Sequence, residues 1–314
     1  MKVHFWGVRG SIPTPLTPEQ VQAKITACVE RITPKDLESE DSRMKFLASL
    51  PPWIYGTIGG NSPCVQLTAD NGSTFLLDAG TGLRAFSKQN LHSENKHYHL
   101  FFSHFHWDHI QGLPFFEQAF DARTRIDVYS TFPAAEKILS EQSRRPYFPK
   151  SGSWDSMKNQ FHFHLIKEGE PFYLNDVLIQ CHKMKHPGNS YSWSFTENGK
   201  KFIYSTDVEL QSSDFDKSIP QNHFFADADV LVLDSQYTVA ESLQKENWGH
   251  STFCYAIDFA ELWNVKKMYL FHHEPTYDDK KIHYILQSGK TYEDYKTHCN
   301  VELYLAQEGQ EFTV

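Results

Sequence analysis

The sequence has few cysteines and no thiol motif. Its five cysteines are scattered, odd in number and never spaced as C-x-x-C: Cys28, Cys64, Cys181, Cys254 and Cys299. A disulfide framework needs paired cysteines, and a thiolate zinc site needs closely spaced ones. The pattern indicates neither, and it predicts buried free thiols.

Long apolar runs are also missing. No stretch of about 18 apolar residues occurs, which a membrane-spanning helix would require. Residues 1–7 contain no apolar core of the kind that a secretory signal needs. We therefore expect a cytoplasmic protein without a membrane partner.

Basic residues are too few for a polyanion-binding protein. The chain has 30 Lys and Arg against 39 Asp and Glu, a net charge of −9. Because nucleic-acid affinity depends largely on phosphate neutralisation by Lys and Arg, this balance argues against an extended nucleic-acid surface. A small substrate fits the composition better.

The sequence does contain enough apolar material for a large core, and an excess of histidine. It has 314 residues, 40% of them hydrophobic, and 17 histidines. A chain of this size buries one large core or two modest ones, and we expect a single domain over residues 1–314.

Three imidazoles and a carboxylate occur within six residues, in the stretch H-F-H-W-D-H at positions 104–109. In an extended segment His104 and His106 point one way while Phe105 and Trp107 pack on the other side. The flanking residues are core-like, which argues against a chance cluster of surface histidines. Imidazole and carboxylate ligands suit zinc, and also manganese or iron, and two adjacent ligand sets predict two ions.

Three polar residues that can be aimed precisely follow strands elsewhere in the chain. His186 closes a strand over residues 171–185, Asp207 follows a strand over residues 201–205, and His272 follows an apolar strand over residues 267–271. Strands alternate with helical patterns, for example a helix over residues 134–143 and another over 251–263. This order predicts a layered α/β fold in which polar side chains project from strand ends.

The block H-F-H-W-D-H resembles the H-x-H-x-D-H signature of the metallo-β-lactamase superfamily of dinuclear hydrolases. The resemblance extends over residues 3–279 and implies a four-layer αβ/βα sandwich, with two mixed sheets flanked by helices. It also implies a ligand set in which His104, His106 and His186 bind one ion and Asp108, His109 and His272 bind the other. Asp207 then bridges the two ions, for which zinc is the first candidate.

Two segments narrow the resemblance to one branch. Gly249-His250-Ser251-Thr252 is similar to a segment of ribonuclease Z and related phosphodiesterases, in which the histidine donates a proton to the leaving group. Asp234 stands where ribonuclease Z has an acid that orients this histidine. The ribonuclease arm that grips transfer RNA would lie between His186 and Asp207, where this chain has only a hairpin. The similarity is therefore closer to small-substrate phosphodiesterases, including those that open cyclic nucleotides.

The resemblance implies a reaction as well. A hydroxide bound by both ions attacks phosphorus, Asp108 orients it, and His250, held by Asp234, protonates the departing oxygen. Hydrolysis of a carbon ester, thioester or lactone by the same ions is the main alternative, and endoribonuclease activity is another. A binding module that has lost catalysis is disfavoured because every ligand position is filled.

Several features remain open. Residues 14–55 carry two helical patterns where the family has a short loop, so they form an insertion that acts as a lid or as the contact of a homodimer. The first pattern begins at Thr17 and predicts an amphipathic helix with the apolar residues Val21, Ile25, Cys28, Val29 and Ile32 at spacings of three and four; the second, over about residues 36–50, is weaker. Asp78-Ala79-Gly80-Thr81-Gly82 is either a plain strand-to-helix turn or a substrate contact. His273, next to His272, is a further possible ligand. His162 and His164 are predicted to be strand-face residues with no acidic partner in reach.

Overall fold

The computed structural model describes residues 1–296 and 300–314, so Cys299 lies outside the described residues. Within them the chain forms fourteen strands in two sheets of seven, and helices flank both sheets. This is the mixed-sheet α/β sandwich predicted from the sequence.

The first sheet is built mainly from the first half of the chain, closed at one edge by the last strand. Its order is β14-β1-β2-β3-β4-β5-β6. Strands β3 to β6 are parallel, whereas β14, β1, β2 and β3 pair antiparallel. The bounds are β1 Lys2–Gly7, β2 Cys64–Thr68, β3 Thr74–Leu77, β4 His97–Phe101, β5 Arg125–Ser130, β6 Phe161–Leu165 and β14 Glu311–Thr313.

The second sheet repeats this plan, with the order β13-β12-β11-β10-β9-β8-β7. Strands β7 to β10 pair antiparallel and β10 to β13 are parallel. The bounds are β7 Phe172–Leu174, β8 Val177–Met184, β9 Ser190–Glu197, β10 Lys200–Ser205, β11 Val230–Asp234, β12 Lys267–Phe271 and β13 Glu302–Leu305.

The helices lie between these strands in sequence. The α-helices are α1 Pro18–Val29, α2 Glu40–Ser49, α3 Pro52–Tyr55, α4 Gly82–Gln89, α5 Trp107–Ile110, α6 Ala135–Gln142, α7 Trp154–Met157, α8 Val239–Ser242, α9 Phe253–Leu262 and α10 Asp279–Asp294. Single 3₁₀ turns cover Pro34–Leu37, Leu113–Phe115, Glu117–Phe120, Lys150–Gly152, Lys158–Gln160, Ser212–Phe215 and Pro220–Phe225. None of the helices in residues 1–296 and 300–314 has both the length and the apolar composition to cross a bilayer.

Strand alternation separates two cores. In β4, Phe101 faces the layer between the sheets, where it contacts Trp193 and Phe195. Its neighbours Leu100 and Phe102 face the opposite way, into the core beneath the helices of the first sheet. Strand β11 is buried along its whole length, which explains the continuous apolar run over residues 230–233.

Polar residues collect at one edge of the sandwich because the parallel strands end there. Asp78 follows β3, the H-F-H-W-D-H block follows β4, and Asp207 follows β10. In the same sheet as β10, Asp234 is the last residue of β11 and His272 comes directly after β12. The fold therefore places the predicted site residues at neighbouring strand ends.

The two helices predicted within residues 14–55 are present as α1 and α2, the short helix α3 was not predicted, and the capping box between Thr17 and Gln20 begins α1. Lys24 Nζ joins α1 to the start of α10 through Asp279 Oδ2 at 2.7 Å. The side chains of Val21, Ile25 and Val29 are exposed. The prediction that these residues form the packing face of an amphipathic helix was therefore wrong. The helix instead packs through Ala27 and Cys28 on a small cluster around Phe46.

Other local predictions were also wrong. The strand predicted over residues 171–185 is two strands, because Asn175, with φ of 52°, makes a turn between β7 and β8. Of the four described cysteines, Cys64 and Cys181 are buried thiols, whereas Cys28 and Cys254 are only partly buried.

Candidate metal centre

The H-F-H-W-D-H block begins extended and ends as a helical turn. His104 is buried and Phe105 stacks on Phe102, so the expected alternation holds at the start. Helix α5 then begins at Trp107, and this indole is 75% exposed instead of packing in the core. The turn buries Asp108 and His109, which brings both back toward His104.

The structure brings all seven predicted ligands together. Their donor atoms form one group of His104, His106, His186 and Asp207 and a second group of Asp108, His109 and His272, with the atoms of each group within 4.8 Å of one another. The two groups share an edge, since the rings of His104 and His109 lie 4.3 Å apart between their centroids. Side chains separated by up to 168 positions, His104 to His272, thus converge on one point.

Asp207 lies between the two groups. Its Oδ1 faces His104 Nε2 at 3.6 Å and His186 Nε2 at 3.5 Å. Its Oδ2 faces His109 Nε2 at 3.0 Å and His272 Nε2 at 3.1 Å. Each carboxylate oxygen therefore faces one group, as a carboxylate bridging two cations requires.

The donor set fits divalent metal ions. The Nε2 atom of His104 is buried and has no hydrogen-bond partner, and the buried Nε2 of His109 lies near the carboxylates of Asp108 and Asp207 without the angles of a hydrogen bond. Such atoms are rare in folded proteins because a buried polar group without a partner is costly. Imidazole nitrogens and carboxylate oxygens aimed at a common point are the ligands that zinc and similar ions prefer.

The opposite ring nitrogen of four histidines is held by a fixed partner, an arrangement typical of metal ligands. These contacts are His104 Nδ1 with Ser103 Oγ at 3.0 Å, His109 Nδ1 with Asp78 Oδ2 at 2.8 Å, His186 Nδ1 with the Gly249 carbonyl at 2.8 Å and His272 Nδ1 with Gln236 Oε1 at 3.0 Å. Each contact turns Nε2 toward the centre.

Charge at the centre is unbalanced without cations. Burial lowers the pKa of His104 well below its ordinary value, and it also lowers the pKa of His106 and His186, so these rings are neutral and have free lone pairs. Burial would likewise lower the pKa of His109, but Asp108, Asp207 and Asp78 raise it well above the ordinary value. The carboxylates thus favour any positive charge placed among them.

Asp78 holds the candidate ligand His109, a contact that the sequence did not reveal. It is fully buried at the start of the Asp-Ala-Gly-Thr-Gly turn, and whether the turn itself contacts substrate stays a prediction. Ser103 donates to it from both N–H and Oγ at 2.8 and 2.7 Å, and the Tyr204 hydroxyl donates to Oδ2 at 2.9 Å. Its φ of 60° is uncommon for aspartate. Its position at a strand end before Gly-rich residues was the only available signal.

His250 and Asp234 form a pair beside the centre. His250 Nδ1 lies 2.6 Å from Asp234 Oδ2, and Asp234 is fully buried. The His250 ring stacks on His272 with 4.9 Å between centroids. Burial opposes charge on His250, but Asp234 raises its pKa to about 8. The contact inferred from sequence is therefore present, and its geometry suits a proton donor.

Two histidine assignments are resolved by their contacts. His273 Nε2 lies 2.9 Å from the Ala306 carbonyl, and burial lowers its pKa to about 3, so this side chain points away from the centre. The expectation that His164 has no acidic partner was wrong, because Asp127 Oδ1 lies 2.7 Å from its Nε2. The partner comes from the neighbouring strand β5, where sequence spacing does not show it.

The chain is similar in sequence to a known family and to a curated protein. The model of a family described as "Beta-lactamase superfamily domain" matches residues 73–273. A ribonuclease Z of Picrophilus torridus is 25% identical over 300 residues, covering 82% of this chain and 91% of that protein.

Two solved structures share the fold over nearly the full length of both chains. The metallo-β-lactamase fold protein YhfI from Bacillus subtilis superposes with a TM-score of 0.62 at 15% identity, covering 99% of this chain and 98% of the other. A diphosphatase from the PhnP family gives a TM-score of 0.61 at 17% identity, covering 99% and 96%.

Proposed function

Since the chain belongs to the metallo-β-lactamase superfamily of hydrolases, we propose that it is a phosphodiesterase that acts on a small phosphodiester with two bound divalent ions. The observation that carries the proposal is His250, aimed at the centre by Asp234 at 2.6 Å. A proton donor beside the metal site assists the departure of an alkoxide from phosphorus. The branches of the superfamily that hydrolyse carbon esters, thioesters or lactones generally lack a segment like Gly249-His250-Ser251-Thr252, so His250 favours a phosphodiester.

The ligands divide as the two groups do. His104, His106 and His186 would hold one ion, Asp108, His109 and His272 the other, and Asp207 both. When bound, such ions lower the pKa of water from about 15.7 toward 7 and neutralise phosphate oxygens. Zinc is the first candidate because most of the ligands are imidazole nitrogens. Manganese and iron are the alternatives to be tested at the same site.

The chain's own residues supply the remaining steps. The Ser11 N–H donates to Asp108 Oδ2 at 2.8 Å, which fixes this carboxylate where it would orient the attacking water. His250 would donate its proton to the departing oxygen, and Asp234 Oδ2 holds the ring so that Nε2 is directed away from the acid. Asp234 also accepts from the N–H groups of Val208 and Gln236, both at 3.1 Å, and is thereby fixed itself.

Two observations favour a small substrate over transfer RNA. The interval between His186 and Asp207 is filled by β9 and β10, joined by a turn at Asn198 and Gly199, so no extended arm projects from it. The net charge is −9. The similarity to ribonuclease Z of Picrophilus torridus keeps endoribonuclease activity as the second candidate on the same centre.

A substrate panel tests the proposal. Purified protein would be loaded with zinc, manganese or iron in turn and assayed against cyclic mononucleotides, cyclic dinucleotides, a generic phosphodiester, precursor transfer RNA and a lactone. We expect turnover of at least one small phosphodiester and little of the lactone. Cleavage of the RNA alone would instead favour the ribonuclease, and cleavage of the lactone alone would contradict phosphodiester chemistry.

Two exposed indoles beside the centre are candidates for contacts with a nucleobase. Trp107 adjoins His106 and Asp108 and is 75% exposed, and Trp248 precedes Gly249 and His250 and is 61% exposed. Stacking of one base on an aromatic ring is worth about 1–3 kcal/mol. Their position favours a nucleotide among the small phosphodiesters.

Replacing Trp107 or Trp248 with alanine should raise KM for a cyclic mononucleotide about 5- to 100-fold with little change in kcat. The same variants should act normally on the matching cyclic ribose phosphate that lacks a base. Tyr173→Ala is the matched control, since this ring is 68% exposed on β7. Equal losses on both substrates would contradict base stacking.

Asp78 should act on the metals through His109. Asp78→Asn keeps the shape but removes the charge that holds His109 Nδ1 at 2.8 Å, so we expect metal affinity to fall about 10- to 100-fold. The measurement is a competition titration with a chelator. Asp229→Asn is the control, because Asp229 is also buried but pairs with Lys200 and Lys266. An equal loss of affinity in both variants would indicate general destabilisation.

A further inference from the structure

A second histidine cluster lies at the starts of the parallel strands of the first sheet. His97 and His99 are in β4, and Asp127 is in β5, in register with His99. His164 is in β6, in register with Tyr129. The centre described above follows the other end of β4, about 16 Å along the strand from His99 to His104. The two clusters are therefore separate.

The donor atoms of this cluster are close enough to share one ion. One ring nitrogen of His97, one of His99 and a carboxylate oxygen of Asp127 all lie within 4.8 Å of each other. His97 Nε2 is 2.5 Å from Asp127 Oδ2, and the two histidine rings have centroids 4.4 Å apart. Two donor atoms bound to one zinc ion at about 2.0–2.2 Å lie roughly 3.3–3.5 Å apart, so the exposed His97 ring would move back from Asp127 Oδ2 by roughly 1 Å to admit the ion.

We propose that His97, His99 and Asp127 form an additional binding site for a single transition-metal dication, with zinc as the first candidate. Two imidazoles and one carboxylate favour zinc, nickel or copper over magnesium or calcium, which prefer all-oxygen sites. Three protein ligands leave a coordination position open to water. The site has no part in the proposed hydrolysis.

Surrounding contacts fix the ligands. The Tyr129 hydroxyl lies 3.2 Å from His99 Nδ1, which leaves Nε2 of that ring for the ion. His164 Nε2 lies 2.7 Å from Asp127 Oδ1, and Arg125 donates to both oxygens at 2.8 Å. Outer partners of this kind orient metal ligands in proteins. Burial also lowers the pKa of His99 to about 4, so the ring is neutral at physiological pH.

The site is accessible, and its charge predicts the order of loading. It opens into a cleft of ≈570 Å³ lined also by Asn95 and Asn175. The His97 side chain is 49% exposed, so an ion reaches it without rearrangement of the core. Arg125 already neutralises Asp127, which weakens cation binding relative to the main centre with its two carboxylate ligands. We therefore expect this site to fill after the other two.

Equilibrium dialysis of the metal-free protein against zinc, with elemental analysis of the bound metal, tests the proposal. We expect about three ions per chain at saturation, compared with about two in the double variant His97→Gln/His99→Gln. The double variant should retain its phosphodiester turnover. His283→Gln is the matched control, a partly buried histidine on α10 that should leave all three ions bound. Equal zinc content in the native protein and the double variant would overturn the proposal.

His99 is buried in the sheet, so the double variant can lose zinc simply because it misfolds. A second measurement therefore leaves His99 unchanged. Protein whose main centre is already filled with zinc would be titrated with cobalt(II) and followed by visible absorption. The single variant His97→Gln changes a half-exposed side chain and should remove the cobalt bands of the native protein while its thermal unfolding in metal-free buffer is unchanged. Bands of equal intensity in native and variant proteins would refute the assignment.

Discussion

Replacing Asp207 with asparagine should abolish hydrolysis and release metal from both ligand groups. Its two carboxylate oxygens face the two groups separately, at 3.0–3.6 Å from four histidine nitrogens. An amide is a poorer ligand than a carboxylate and brings no negative charge. Because metal ions contribute several kcal/mol of transition-state stabilisation, we expect kcat/KM to fall at least about 10³-fold.

Elemental analysis of the Asp207→Asn variant after gel filtration, together with steady-state kinetics, would measure both effects. Asp229→Asn is again a suitable control, since Asp229 is buried but binds lysines outside the centre. Circular dichroism should show that both variants are folded. If Asp207→Asn keeps two ions and normal turnover, the bridging role is wrong.

Replacing His250 with alanine should reduce turnover in a way that depends on the leaving group. A general acid is worth about 10²- to 10⁴-fold when a strongly basic alkoxide departs. It is worth much less when the leaving group is a stable anion such as 4-nitrophenolate. The variant should therefore lose most of its activity on a cyclic nucleotide and little on a 4-nitrophenyl phosphodiester.

The metal content of the His250→Ala variant distinguishes a proton donor from a metal ligand. Its ring nitrogen also lies within 4.8 Å of donor atoms of Asp207 and His272, a spacing that a ligand would share. As a proton donor, His250 should be replaceable without loss of metal. Asp234→Asn should give a smaller loss with the same leaving-group dependence, because it acts only through the 2.6 Å contact with His250. Metal loss in His250→Ala would make His250 a ligand, and equal losses on both substrates would contradict the proton-donor role.

The sequence was most informative where residue type and strand position agreed. The block at residues 104–109 indicated a metal site by its own density of ligands. His186, Asp207 and His272 were assigned from the order of ligands in the resembling superfamily, and each follows a strand, as a site at a sheet edge requires. The structure places these residues together, although their binding of metal stays a prediction.

Contacts between residues that are far apart in the sequence could not be predicted from it. Asp78 binds His109, Ser103 and Tyr204 from a separate strand, and only the folded sheet order brings them together. The pairing of His164 with Asp127 was missed for the same reason. A pattern read within one strand contains no information about the side chains of its neighbour.

Two local predictions were wrong about which side chains are buried. Trp107 was assigned to a strand-like alternation, but α5 begins at this residue and turns the indole to solvent. In α1 the apolar spacing was real, yet Val21 and Ile25 are exposed because the helix packs through smaller residues. Periodicity predicted the helix but not the face that packs.

The most direct test is a titration of metal-free protein with zinc, in which bound metal and hydrolysis of a small phosphodiester are measured in the same samples. Turnover should rise with the first ions, reach its maximum at about two per chain and stay constant as a third binds. Absence of phosphodiester hydrolysis at every loading, together with hydrolysis of a lactone or thioester, would contradict a centre built to cleave phosphate esters.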